Sequence, residues 1–180
     1  MRRARARRLA QHAYAVAVDA ELERSLRRCP AVLFLCSGNA VRSAFCEVYA
    51  RHLGCTRPVL SAATIYRNER MLLETRRALE TRGVAPSETV RFRPRHVEDL
   101  LPGLDPGTVV LGMTRVHLEA ISARADLCRQ ARLLPAVCGE PGEVLDPVMD
   151  GADFAGTFER LARYVRALTS ALDRAQADRT

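Results

Sequence analysis

The amino-acid sequence predicts an α/β fold. It is a three-layer domain with a four-stranded parallel sheet flanked by helices, preceded by an N-terminal helical extension. Three observations carry this. Short apolar runs rich in Val, Leu and Ala recur along the chain, and segments with helical spacing separate them. The chain ends on a long amphipathic stripe, Phe154, Phe158, Leu161, Val165, Leu168 and Leu172. Strands that alternate with helices close into parallel sheets through right-handed crossovers, with both faces covered.

The elements follow in order. Residues 9 to 28 place Leu9, Ala13, Val16, Ala17, Ala20 and Leu22 among charges before Cys29-Pro30 closes the segment, which predicts an amphipathic helix. Residues 1 to 28 are set apart as a basic helical extension, and residues 29 to 180 as the domain. Residues 31 to 35 form an apolar strand that runs into a Gly-Asn turn. Phe45, Val48, Tyr49 and Leu53 then recur at helical spacing until Gly54. Residues 58 to 63 read as a second strand and 71 to 82 as a helix ended by Gly83. Residues 108 to 113 read as a third strand, 115 to 124 as a helix, and 132 to 137 as a fourth strand.

Composition narrows the function. The 180 residues are 48% hydrophobic and 27% charged, a balance that suits one folded domain. The net charge is +7, every fixed cation is an arginine, and the excess is concentrated in residues 1 to 28. The body carries no zinc spacing, aromatic ribonucleoprotein motif or basic stripe, so no nucleic-acid partner is expected. No run approaches the roughly 18 apolar residues of a membrane span. Gln11, His12 and Asp19 interrupt the apolar stretch that an export signal would need. Six cysteines without a small secreted scaffold fit free thiols in the cytoplasm. Their spacing matches no metal site, so neither a metal nor an organic cofactor is expected. The oligomeric state is not legible.

The chemistry concentrates in Cys36-Ser-Gly-Asn-Ala-Val-Arg42-Ser43. In an arginine-rich chain the Cys-to-Arg spacing alone is weak. A preceding strand, an internal Gly-Asn turn and a following helix give it meaning. Such a loop at a helix N-terminus aims successive backbone amides, those of Ser37, Gly38, Asn39, Ala40, Val41 and Arg42, at one point, and adds the positive end of the helix dipole. Gly38 and Asn39 tolerate the unusual backbone that this requires. Arg42 supplies a planar fork for two phosphate oxygens. The positive field favours the thiolate of Cys36, the attacking form, and Ser43 can donate its hydroxyl to it. The alternative for Cys36 is a small buried hydrophobe at a strand end.

A proton donor for the leaving group is also needed. Asp146 in Val144-Leu145-Asp146-Pro147 lies on a loop at the same sheet edge, where Pro147 restricts its backbone. The alternative is a plain Asp-Pro turn. Together these residues predict a cysteine-dependent phosphatase.

At this point the sequence resembles the low-molecular-weight protein tyrosine phosphatases, which share a fold with thiol-dependent arsenate reductases. The likeness runs from about Ala31 to about Leu172. It rests on the Cys36 to Ser43 loop with Glu47 after it, Ser61-Ala-Ala-Thr64, Val110-Leu-Gly-Met-Thr114, and Asp146-Pro147 followed by Phe158-Glu159. The resemblance implies Cys36 as nucleophile, Arg42 as phosphate ligand, Asn39 and Ser43 as loop supports, and Asp146 as general acid. It implies a phosphocysteine intermediate and a phosphotyrosine-protein phosphatase-like hydrolase acting on a phosphorylated protein or a small phosphomonoester.

Four departures bear on these expectations. Val41 replaces the family's second cysteine, which removes the usual protective disulfide. Ala44 replaces a proline. Val148 replaces the aromatic residue after Asp-Pro, and Ala40 is smaller than the usual wall residue. Tyr66 and Val148 are therefore candidate rim residues, beside Arg67. The alternatives are a phosphatase of a small metabolite phosphate, an arsenate reductase using an external thiol, and a catalytically dead phosphate-binding module. The third predicts loss of Cys36, Arg42 or Asp146, all of which are present.

Overall fold

The computed structural model describes residues 20 to 177. Of the helix expected over residues 9 to 28, the part before Ala20 lies outside the described residues. The remainder is helix α1, Ala20–Arg28, whose Leu22 and Leu26 are buried in the main core.

Strand β1, Val32–Cys36, leads into helix α2, Arg42–His52, and then β2, Val59–Ala63. Helices α3 (Leu73–Glu80), α4 (Pro86–Arg91) and α5 (Val97–Leu100) follow, with a 3-10 turn at Leu101–Gly103. Strand β3 is Val109–Gly112, α6 is Arg115–Glu119, α7 is Ala125–Cys128 and β4 is Ala131–Leu133. A 3-10 segment, Leu134–Cys138, precedes the long helix α8, Phe154–Ala177.

The four strands are parallel in the order β2-β1-β3-β4, with Val32 opposite both Val59 and Val109. Side chains alternate across β1. Val32, Phe34 and Cys36 enter a cluster with α1, α2 and α8, where Phe45 stacks on Phe158 at 5.2 Å between ring centroids. Leu33 and Leu35 enter the opposite cluster with Val97, Val110, Ile121 and Leu127. These two cores make the three layers.

The order also positions the site. The chain steps from β1 to β2 on one side and then crosses to β3 on the other, so β1 and β3 flank the point where the winding reverses. Ligands in open parallel sheets bind beyond the carboxyl ends of strands at such a point. Cys36 ends β1 there.

Several boundaries differ from expectation. The fourth strand ends at Leu133 rather than continuing to residue 137, because Pro135 has no N–H for the ladder and its fixed φ suits the 3-10 turn it opens. The helix expected over 115 to 124 stops at Glu119 and continues as separate turns. That expected over 71 to 82 spans Leu73–Glu80, since Leu72 is extended. Helices α4 and α5 were not expected.

Candidate active site

The segment between β1 and α2 wraps so that its carbonyls face outward onto residues 64 to 72, the stretch after β2. Cys36 O accepts from Thr64 N at 3.0 Å, Ser37 O from Ile65 N and Tyr66 N at 3.1 and 3.2 Å, and Ala40 O from Leu72 N at 3.1 Å. Gly38 O accepts from Asn68 twice, from its backbone N–H at 3.2 Å and its side-chain Nδ2 at 2.9 Å. In a planar trans peptide the N–H points opposite to the C=O. The amides of Ser37, Gly38, Asn39 and Val41 are therefore turned inward over Cys36. Helix α2 begins at the same place with no side-chain cap, which adds the positive end of its dipole.

Gly38 is required by contact. A Cβ there would lie 2.3 Å from Asn68 Nδ2 and 2.6 Å from a Tyr66 ring carbon. Asn39 is required by conformation, with φ at 53°, in the left-handed region.

The Asn39 side chain also ties the loop to its surroundings. Its Nδ2 donates to Ser43 Oγ at 2.9 Å and to Ser61 Oγ at 2.8 Å, and its Oδ1 accepts from Arg95 N at 2.9 Å. Ser61 Oγ in turn donates a hydrogen bond to Glu47, a buried carboxylate that is also paired with Arg51 and, at 2.6 Å, with Arg95. Two guanidiniums and a hydroxyl offset the desolvation of Glu47. Because Ser43 Oγ already accepts from Asn39, its own hydrogen is free to point at Cys36 Sγ, 2.9 Å away.

Arg42 is buried and held from behind. Its Nη1 donates to Val144 O at 2.8 Å and its Nη2 to Ser37 Oγ at 3.1 Å, while Nη2 also pairs with Asp146 Oδ2. The buried Nε has no hydrogen-bond partner. Asp146 is fixed in turn. Val144 N donates to Met113 O at 2.8 Å, Asp146 Oδ1 accepts from Val148 N at 3.0 Å, and Asp146 N donates to Asp150 Oδ2 at 2.7 Å.

These residues surround one cleft. Cys36, Gly38, Ala40, Val41, Arg42 and Asp146 form its floor and back, with Tyr66, Asn68, Leu72 and Val148 at the sides. Tyr66 and Val148 are partly exposed at the mouth. Burial, and then the negative charges of Asp146 and Cys36, push the Tyr66 phenol up, while Arg42 opposes this. Ser37, Asn39 and Ser43 point behind the cleft wall, where their side chains brace it. Burial also pushes the Cys46 thiol well above its ordinary value, so it stays protonated beside Cys36.

Sequence reasoning missed Asn68, Arg95 and His117. His117 is buried beside the loop, with Nε2 3.1 Å from Ser37 Oγ and Nδ1 accepting from Thr114 N at 3.0 Å. Burial first, and then the Arg42 charge, lowers its pKa to about 4, against the opposing pull of Asp146. The Thr114-x-x-His117 spacing just after the third strand was the available signal. No group of three or more His, Cys, Asp or Glu among the described residues is arranged to hold a metal ion, and none of the described helices is long and apolar enough to cross a membrane.

No family model and no curated relative matches the chain. Solved structures do. A mutant of YwlE from Bacillus subtilis is 25% identical with a TM-score of 0.62, and the match covers 79% of this chain and 98% of that one. A low molecular weight protein tyrosine phosphatase from Bacillus subtilis is 24% identical with a TM-score of 0.62, covering 80% and 97%. The chain has the fold of the low-molecular-weight protein tyrosine phosphatases. YwlE arginine phosphatase from Geobacillus stearothermophilus aligns at a TM-score of 0.68 and 21% identity, over 83% of this chain and 97% of that one.

Proposed function

We propose that the chain is a cysteine-dependent phosphomonoester hydrolase working through a phosphocysteine intermediate. The observation that carries this is the convergence, in one cleft, of Cys36 Sγ, the unpaired Nε of Arg42 and the carboxylate of Asp146 under inward-turned amides.

In this reading the substrate's phosphoryl oxygens take the amides and Arg42 Nε, and displace Asp146 from Nη2. The guanidinium then grips two equatorial oxygens, best in the trigonal transition state. The Cys36 thiolate forms a bond to phosphorus as the bond to the leaving oxygen breaks. Asp146, in its acid form, gives that oxygen its proton. Asp146, now a carboxylate, takes a proton from water as the water oxygen attacks the phosphocysteine. Inorganic phosphate and the Cys36 thiolate are released, and the Ser43 hydroxyl stabilises the departing sulfur.

The substrate we favour is a phosphorylated protein side chain, phosphotyrosine first, with Tyr66 packing along the ring. Val148 opposite offers no second aromatic, and such a pair contributes roughly 0.5 to 1.5 kcal/mol beyond area burial. Phosphoarginine is a second reading, supported by the Asp146 carboxylate lining the cleft and by the likeness to an arginine phosphatase. A guanidine leaving group is basic and suits an acidic lining. A nucleophile such as Cys36, which has to stay reduced to act, suits a reducing compartment such as the cytoplasm. We assign catalysis to residues 29 to 180, with residues 1 to 28 as an extension whose Ala20–Arg28 portion packs on it.

The test is hydrolysis of p-nitrophenyl phosphate between pH 5 and 8 in chelator. Phosphotyrosine and phosphoarginine peptides of one sequence follow. Turnover should vanish in Cys36→Ser and in Arg42→Lys. No turnover by a folded, reduced wild type would overturn the reading.

A further inference from the structure

His117 lies outside the cleft yet is joined to Arg42 by a single intervening oxygen. The protein backbone decides its tautomer. Thr114 N–H can only donate, so Nδ1, 3.0 Å away, must accept. A neutral ring then carries its proton on Nε2, which faces Ser37 Oγ at 3.1 Å. That oxygen also accepts from Arg42 Nη2 at 3.1 Å.

A hydroxyl oxygen has two lone pairs, and here one is taken by the imidazole and the other by the guanidinium. Ser37 Oγ cannot rotate to another donor without breaking one of these bonds. It is a fixed stop against which Nη2 rests, just as Val144 O, 2.8 Å from Nη1, is the stop for the other arm. With both rear contacts satisfied, the unpaired Nε and the Nη2 edge that holds Asp146 are the part of the guanidinium left for a ligand in the cleft that Arg42 lines.

We propose that His117 is a positioning residue: through Ser37 Oγ its Nε2–H fixes the plane of the Arg42 guanidinium for two-point capture of a phosphoryl group. The proposal rests on the reading of the cleft as a phosphate site. Bidentate recognition depends on the fork being held within a few tenths of an ångström and some ten degrees, and such tolerance comes from supporting contacts of this kind. The buried ring stays neutral down to about pH 4. A protonated ring would lose the Thr114 acceptor and add a second cation beside Arg42.

Two substitutions separate positioning from a purely structural part. In His117→Asn, Oδ1 sits where Nδ1 was and keeps the Thr114 contact, but nothing reaches Ser37. In His117→Gln, the amide nitrogen sits where Nε2 was and keeps a donor on Ser37, while the Thr114 contact is lost. Inhibition constants and calorimetric affinities for inorganic phosphate and for orthovanadate, which adopts the five-coordinate geometry on a thiolate, supply the readout.

Positioning predicts that His117→Asn weakens vanadate by roughly five- to twentyfold, and phosphate by less. His117→Gln should recover most of that loss despite the lower melting temperature of the two. A merely structural role predicts the reverse order, and vanadate affinity in His117→Asn equal to wild type would overturn the proposal. Ser37→Ala, which keeps the loop amide, should weaken vanadate to a similar degree, and adding His117→Asn to it should have little further effect. If the His117 variants fail to fold, wild-type vanadate affinity in Ser37→Ala alone overturns the proposal. Calorimetry does not depend on turnover. An enzyme that binds both oxyanions without hydrolysing would sink the hydrolase reading and leave this one to be decided by the variants.

Discussion

Replacing Asn39 by Ala attacks the loop at the residue where backbone and side-chain demands meet. An alanine at φ 53° bears the left-handed penalty that Asn tolerates, about 1 kcal/mol. Three hydrogen bonds go with the amide, to Ser43, Ser61 and Arg95 N, at about 1 kcal/mol each. Ser43 and Ser61 keep their other contacts, to Cys36 and Glu47, and the partly buried Arg95 N–H can turn to water, so no charge is stranded. The expected loss is about 3 to 4 kcal/mol, a large share of the roughly 5 to 15 kcal/mol that holds a domain folded. Urea unfolding followed by far-ultraviolet circular dichroism should show the midpoint falling at constant slope. Phosphate affinity should fall with it, because the loop that turns its amides inward is no longer tied through Asn39 to Ser61 and the Arg95 backbone. A loss below about 1 kcal/mol with phosphate binding intact would refute the reasoning.

Other perturbations follow from the same geometry. Gly38→Ala must push Asn68 and Tyr66 off the loop, at an overpacking cost of about 1 to 3 kcal/mol. Its KM for p-nitrophenyl phosphate should rise, and an unchanged KM and melting temperature would contradict the contact. Asp146→Ala should lower kcat about 10²- to 10³-fold for alkyl phosphates but far less for p-nitrophenyl phosphate, whose leaving group needs little protonation. It should bind inorganic phosphate at least as tightly, since a competitor for Arg42 is gone. An equal loss across leaving groups would exclude general acid catalysis by Asp146.

His117, facing Arg42 and Asp146, titrates near 4 in the folded protein against an ordinary value near 6.5. Between those values the unfolded chain binds the proton first. The stability from the neutral ring is thus complete above about pH 6.5 and falls, by about 3 kcal/mol in all, as pH drops to 4. Urea unfolding at pH 7 and 4.5 should show this slope in the wild type and its reduction in His117→Asn.

What could be read from the sequence was what is local along the chain. Cys36, Gly38, Asn39, Arg42 and Ser43 lie within one strand, loop and helix start, so their joint geometry follows from spacing. The stripe from Phe154 to Leu172 runs long enough for its period to be unambiguous. Helices α4 and α5, of six and four residues, span too little chain for a period to show. Pro135 alone marked the early end of β4. The supports of the loop were hidden for a different reason. Asn68 reaches Gly38 across 30 residues and His117 reaches Ser37 across 80, and neither separation leaves a trace in local pattern. Arg95 takes part mainly through its backbone N–H and through Glu47, a partner whose burial only the fold reveals.

The central claim is a covalent phosphoryl group on sulfur, and trapping it is the most direct test. The protein is mixed with excess p-nitrophenyl phosphate in chelator, quenched in acid within the first turnovers, and digested for mass spectrometry. The account predicts one phosphoryl group on the peptide bearing Cys36, more of it in Asp146→Ala, where hydrolysis of the intermediate lacks its base, and none in Cys36→Ala. Rapid release of p-nitrophenol with Cys36 unmodified at every quench time, or undiminished turnover in Cys36→Ala, would contradict it.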